Sequence, residues 1–163
     1  MFTQRPVEAD DFAKICRVPS TAEELFYMAP TAMFPLSPDA LRDIVAQRES
    51  PTVLILNGDI AAFASLYFNK IEQTYFIGNV IVAPSHRGKG AAGKLISVMT
   101  EIARQRFSIQ DIRLSCFNMN TAGLRLYTKL GFIPYAMAER RNTKGEYLVK
   151  FDLKCELGKI APL

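Results

Sequence analysis

The sequence predicts a mixed α/β fold of the α+β type, with a mostly antiparallel central sheet and helices on both of its faces. Three observations point there. Helical spacing of apolar residues gives way after residue 51 to strand-like runs. Asn57-Gly58 sits between two such runs as a hairpin turn. From residue 80 a strand, a glycine-rich loop and a helix follow one another, with β-α-β-β behind them. Hairpins combined with a crossover imply helices packed on a mixed sheet. At 163 residues and 49% hydrophobic content, the chain can bury one substantial core but is too short for two ordinary enzyme domains. A single domain over residues 1–163 is expected.

Phe2–Val7 reads as a short opening strand. Ala9-Asp10-Asp11 can cap a helix running to about Arg17, and a second helical piece covers Thr21–Met28. Pro30, Pro35 and Pro38 exclude a continuous helix across Ala29–Pro38, because each removes a backbone donor and fixes φ. Ser37-Pro38-Asp39 then starts a helix through Gln47, with Pro at its first position and an acid in its first turn. Thr52–Leu56, Ile60–Asn69 and Gln73–Val82 form an antiparallel meander. Pro84 ends its third strand; beyond the glycine loop, Leu95, Val98, Met99 and Ile102 recur at helical spacing up to about Arg104. Asp111–Phe117 is a buried strand and Thr121–Leu130 a helix stopped by Gly131. Phe132–Ala138 pairs through a turn at Asn142–Gly145 with Tyr147–Leu153.

Composition narrows the function classes. The formal charge is +4 and the pI near 9, yet basic residues cluster only at His86–Lys89 and Arg140–Lys144. Nucleic acid requires a basic stripe or face, so no nucleic-acid partner is expected. A cluster confined to one loop fits a small anionic ligand better. Cys16, Cys116 and Cys155 form no CxxC pair and leave an odd thiol, which fits a reducing, cytoplasmic compartment. No apolar stretch approaches the roughly 20 residues of a membrane helix, and the N-terminus lacks an apolar signal core, so no membrane partner is expected. His86 is the one histidine, and no Cys/His cluster supplies zinc ligands.

The stretch Ala83–Leu95 satisfies three phosphate-binding patterns. All share one physical basis: glycines let the backbone approach closely while free N–H groups at a helix N-terminus face anionic oxygens. Gly88, Gly90 and Gly93 match the dinucleotide fingerprint GxGxxG, but only about 70 residues follow and they include a hairpin. Gly88, Gly93 and Lys94 match most of a P-loop, but Leu95 stands where a hydroxyl should hold magnesium. The third pattern, [Q/R]-x-x-G-x-[G/A], is met by Arg87, Gly90 and Ala92. A purely structural turn is the plain alternative. Against it, Arg87 and Lys89 place positive charge at an already electropositive helix start, which destabilises the helix unless an anion binds.

With the strand end Val80-Ile81-Val82-Ala83-Pro84 before the loop and Asn120–Phe132 after it, the chain resembles the GCN5-related N-acetyltransferase (GNAT) family over roughly residues 75 to 135. The resemblance implies a GNAT-like fold and transfer of an acetyl group from acetyl-CoA to a primary amine of a small molecule, amino acid or protein. It implies a strand Asn79–Val82 splayed from its neighbour, and an N–H near Ile81 or Val82 that polarises the thioester carbonyl. Backbone N–H groups of Arg87, Gly88, Lys89, Gly90, Ala91, Ala92 and Gly93 would hold the pyrophosphate. Tyr127 aligns with the family's general acid, and equally reads as a ring packed in the core. Asn120 aligns with a residue that contacts the cofactor arm, or caps the helix it precedes.

Phe76 and Asn79 offer no carboxylate where many relatives carry a glutamate, so Glu72, Glu139 or an ordered water remain as candidates for the base. A module that binds acetyl-CoA without catalysis is the alternative reading. Acceptor choice is expected from residues 9–48, especially Glu23–Leu36, and from Ala138–Glu146. There Glu23 and Glu24 suit a cationic amine and Phe26, Tyr27, Met28, Met33 and Phe34 an apolar pocket, though each also reads as core or surface. A homodimer is an expectation from resemblance alone.

Overall fold

In the computed structural model, which describes residues 1–162, alternating apolar runs become β1 (Thr3–Pro6), β2 (Glu49–Leu56), β3 (Asp59–Asn69), β4 (Thr74–Val82), β5 (Asp111–Phe117), β6 (Ile133–Arg141) and β7 (Tyr147–Glu156). They form one sheet in the order β1-β2-β3-β4-β5-β7-β6. Every neighbouring pair is antiparallel except β4 and β5. Asn57 and Gly58 both have positive φ, 53° and 87°, as the two central residues of a tight hairpin turn require.

Helices cover both faces. On one lie α1 (Phe12–Ile15), α2 (Ala22–Met28) and α3 (Pro38–Ala46), whose Ile15, Leu25 and Leu41 pack with Val53, Phe63 and Ile81 of the sheet. On the other lie α4 (Ala91–Arg106) and α5 (Thr121–Leu130), whose Leu95, Ile96, Met99 and Leu130 pack with Leu66, Ile77, Ile112 and Leu114. Side-chain oxygens close the N-termini of α2 and α3: Thr21 accepts from the Glu24 N–H and Ser37 from the Ala40 N–H, each at 3.1 Å. No helix among the described residues is long and apolar enough to cross a membrane.

The feature that positions the site is the join between β4 and β5. Their parallel ladder consists of Phe76 with Arg113 and Ile77 with Leu114, and past Ile77 the strands have no further pairs. A bulge in β4 coincides with this parting: Ser65 pairs with Gly78 but Phe63 with Ile81, and Asn79 within it has φ of 55°. Asn tolerates that left-handed conformation better than most residues.

Several boundaries differ from the sequence reading. The helix expected over Ala9–Arg17 is a 3₁₀ turn, Ala9–Asp11, followed by a single α-turn, Phe12–Ile15. The Asp11 carboxylate folds back to the Glu8 N–H at 2.8 Å and to the Arg5 guanidinium at 2.5 and 3.0 Å, which tightens the start. Pro19 disfavours helix at Val18 and closes the end. Helix α4 begins at Ala91 rather than near Leu95, because Ala91, Ala92 and Gly93 carry no large side chain to show the helical period. Strands β2, β6 and β7 extend into Glu49-Ser50, Glu139–Arg141 and Lys154–Glu156, whose polar side chains hide the alternation.

Candidate active site

Where β4 and β5 part, the N-terminus of α4 and the length of α5 enclose an open groove of about 800 Å³. Its lining includes Val80, Ile81 and Val82 from β4, then Arg87, Gly88, Gly90, Ala91, Ala92 and Gly93 from the loop and α4. Asn120 and Tyr127 line it from the α5 side. The structure therefore gathers all the sequence-derived site residues except Lys89, whose exposed Nζ turns back to the Ser85 carbonyl at 2.9 Å. The Lys89 side chain does not line the groove; the expectation for this residue concerns its backbone N–H.

The loop presents backbone rather than side chain. Gly88 and Gly90 have φ of 70° and 81°, and no atom lies within 4 Å of where a Cβ would stand, so the main chain is open on that side. Gly90 takes the N-cap position of α4, and no side chain caps it. The Lys94 N–H donates to the Gly90 carbonyl at 3.0 Å, leaving the N–H groups just before it at the positive end of a 16-residue helix. This donor set suits a phosphate, and the unpaired edge of β4 leads into it, so the residues present fit an extended diphosphate-bearing cofactor such as acetyl-CoA.

Arg87 does not point its charge at that cradle. Its guanidinium pairs with Glu24 at 2.8 Å and its Nε–H donates to the Val82 carbonyl at 3.2 Å, tying α2 to the loop. Glu24 also accepts from the Ser20 N–H and hydroxyl. Burial raises the Glu24 pKa, but Arg87 and Ser20 outweigh it and hold the carboxyl below its ordinary range. Glu24 is thereby a structural partner rather than a free site for a cationic amine. Glu23 accepts from the Tyr27 hydroxyl at 3.1 Å. Phe26 and Met28 are core residues, whereas Met33 and Phe34 stand exposed.

Tyr127 is buried to 6% exposure and its ring lies 6.0 Å from that of Phe132, tilted. Its hydroxyl makes no hydrogen bond among the described residues, and no fully buried side-chain oxygen is left without a partner; the hydroxyl therefore opens into the groove it lines. Burial raises its pKa above the ordinary tyrosine value, with the nearby Cys116 thiol adding to the shift. Asn120 caps α5: its Oδ1 accepts from the Gly123 N–H at 3.0 Å. Asn120 lines the groove, and a Cβ on Gly123 would come within 2.8 Å of its Nδ2.

The base candidates fare differently. Glu72 is held by Arg113 at 2.5 Å and by the Tyr135 hydroxyl at 2.6 Å, away from the groove lining. Glu139 sits exposed on β6 and does not line the groove either. Sequence reasoning missed Gly123, Arg125 and Lys129, which also line it; the i to i+4 spacing of Arg125 and Lys129 on one helix was the available signal. It also missed Glu24 as the partner of Arg87, for which no local signal exists.

A strand edge without a partner, opening onto an uncapped helix start with a buried tyrosine opposite, defines the class: a protein that lays an extended phosphate-bearing cofactor beside its sheet. The chain belongs to the acetyltransferase (GNAT) family, whose model matches residues 18–132. Over 103 residues, 61% of this chain, it is 28% identical to streptothricin acetyltransferase of Streptomyces lavendulae and covers 54% of it; the chain spans about half the length of that relative. Spermidine N-acetyltransferase from Vibrio cholerae, solved with coenzyme A and spermine, superposes with a TM-score of 0.78 at 21% identity, covering 97% of this chain and 96% of that one. YncA of Salmonella typhimurium, solved with acetyl-CoA, gives 0.73 at 23% identity, covering 100% and 98%. At these identities the likeness is one of fold.

Proposed function

We propose that this protein transfers an acetyl group from acetyl-CoA to a primary amine by direct attack in a ternary complex. The observation that carries this reading is the edge of β4 that β5 leaves unpaired beyond Ile77, leading to the uncapped N-terminus of α4. Acetyl-CoA supplies the activated acyl group; the chain's residues bind, orient and donate. N–H groups from Arg87 to Gly93 hold the diphosphate, with Asn120 Nδ2 donating to the cofactor arm. An N–H near Ile81 or Val82 donates to the thioester carbonyl, where developing negative charge makes such a donor most valuable. Tyr127 keeps its proton at neutral pH and offers it to the departing sulfur.

The cradle on one side of the sheet and the expected acceptor side, residues 9–48 and 138–146, work in one domain over residues 1–163. Of the proton acceptors that line the groove, Glu24 is paired with Arg87, Glu23 accepts from the Tyr27 hydroxyl and His86 bonds Ser85; the amine's proton leaves through water. Three free cysteines support a reducing, cytoplasmic setting; a homodimer is proposed from family resemblance and is read by sedimentation. The test of the activity is coenzyme A release with acetyl-CoA and a panel of amines, in wild type and Tyr127→Phe. Release that depends on the amine supports the reading. Tight acetyl-CoA binding with no release across a broad panel would assign the protein to cofactor binding alone.

A further inference from the structure

One cation beside the reacting strand has no counterion. Arg48, in the turn before β2, is half-buried. Its Nε–H donates to Asn79 Oδ1 at 3.1 Å, and its guanidinium carbon stands 4.6 Å from the centre of the Tyr67 ring. The nearby acids are engaged elsewhere: Glu49 with Arg106 at 3.2 Å, and Asp152 with Lys150 at 3.1 Å and with the Ser115 hydroxyl at 2.5 Å. No carboxylate among the described residues pairs with Arg48. Burial lowers its pKa, with Tyr67 weakly opposing the shift; a guanidinium nonetheless stays protonated at any physiological pH.

A structural role alone does not account for this choice of residue. Glutamine would donate to Asn79 without placing a charge in a half-buried position, where an unpaired ion is unfavourable. The other bonds of Asn79 hold its amide in place: its Oδ1 also accepts from Ser65 at 2.8 Å and its Nδ2 donates to the Met28 carbonyl at 3.0 Å. Those bonds fix Arg48 through Nε and leave Nη1 and Nη2, which make no hydrogen bond among the described residues. Asn79 immediately precedes Val80, the first β4 residue to line the groove, so the free fork lies one side chain from the strand that receives the thioester in the proposed reaction.

We propose that Arg48 determines acceptor specificity, its two free Nη groups receiving a carboxylate that the acceptor carries close to its amine. The preferred acceptors are then amino acids or related amino-carboxylates. The planar fork matches a carboxylate bidentately, and the same charge disfavours a polyamine that brings only cations. This inference rests on the acetyl-transfer reading, and the experiment separates the two.

Full-length protein with coenzyme A bound is titrated calorimetrically with six L-amino acids of varied side chain and with their amides. The same pairs and spermidine serve as acceptors in the coenzyme A release assay. At least one acid is expected to bind and to exceed its amide in kcat/KM by about tenfold or more. Arg48→Gln is expected to lower that acid's kcat/KM about 10- to 100-fold while leaving the amide within about twofold, with Arg48→Lys recovering part of the loss. An unchanged melting temperature in Arg48→Gln excludes unfolding as the cause. Equal use of acid and amide by the wild type, equal loss of both in Arg48→Gln, or no binding of any acid overturns the proposal. Arg48-dependent binding of an acid without thiol release from any acceptor would keep the anion site and remove the transfer reading.

Discussion

At Tyr127 the ring and the hydroxyl have separable consequences. The ring belongs to the core on the α4–α5 face, so Tyr127→Phe keeps the packing; the hydroxyl alone reaches the groove. Because burial holds its pKa above the ordinary value, Tyr127 remains protonated across the neutral range and acts only as a donor. Tyr127→Phe is expected to lower kcat about 10²-fold, within the range of general acid catalysis, with the dissociation constant of coenzyme A unchanged; single-turnover kinetics beside calorimetry check this. Asp11 makes a different, structural prediction. Arg5 is the main cause that holds its pKa below the ordinary carboxylate value, burial opposes it, and the Glu8 N–H assists. A folded pKa below the unfolded one gives stability that is complete above about pH 4 and is lost as pH falls through the folded value. Asp11→Asn should therefore destabilise by about 1–3 kcal/mol at pH 7, and the difference should shrink at pH 3, as urea unfolding at the two values would reveal.

At the scale of elements, α5 and the loop before α4 illustrate two ways of opening a helix. Asn120 caps α5, whereas the glycine loop leaves the start of α4 bare. Asn120→Asp keeps an acceptor for the Gly123 N–H and adds a favourable charge at a helix start, but removes the Nδ2 donor. Its melting temperature should hold or rise while coenzyme A affinity falls, whereas Asn120→Ala should lose about 1 kcal/mol of stability as well. Equal affinity in Asn120→Asp and wild type would reduce the residue to a cap. The elements legible in the sequence were those bounded by turn chemistry: β5 and α5 fall at Asp111–Phe117 and Thr121–Leu130 as read, because Gly131 with φ of 97° and Asn120 mark the helix ends. The start of α4 was not legible, since small residues carry no period. Nor was the bulge at Asn79, where the choice of an Asn in a strand reflects a backbone twist that only β3 pairing reveals.

For the whole molecule, the number of strands and the hairpins followed from local pattern, but the order of the sheet did not. That β7 inserts between β5 and β6, and that β4 and β5 share only two ladder pairs, are products of long-range packing. The site was accordingly legible as a list of loop and helix residues, and Arg48, distant in sequence from all of them, was not. If the groove binds as proposed, the cofactor stabilises the fold as a whole: at a hundredfold excess over its dissociation constant it adds about 2.7 kcal/mol, a rise of roughly 5–10 °C in melting temperature for a chain of this size. The most direct test of the central claim is calorimetric titration of the folded protein with coenzyme A and with acetyl-CoA. Saturable binding at one site per chain, accompanied by that rise in melting temperature, is the predicted result. No heat from either compound, and no thermal shift at millimolar concentration, would contradict the diphosphate cradle between residues 87 and 93 and everything built upon it.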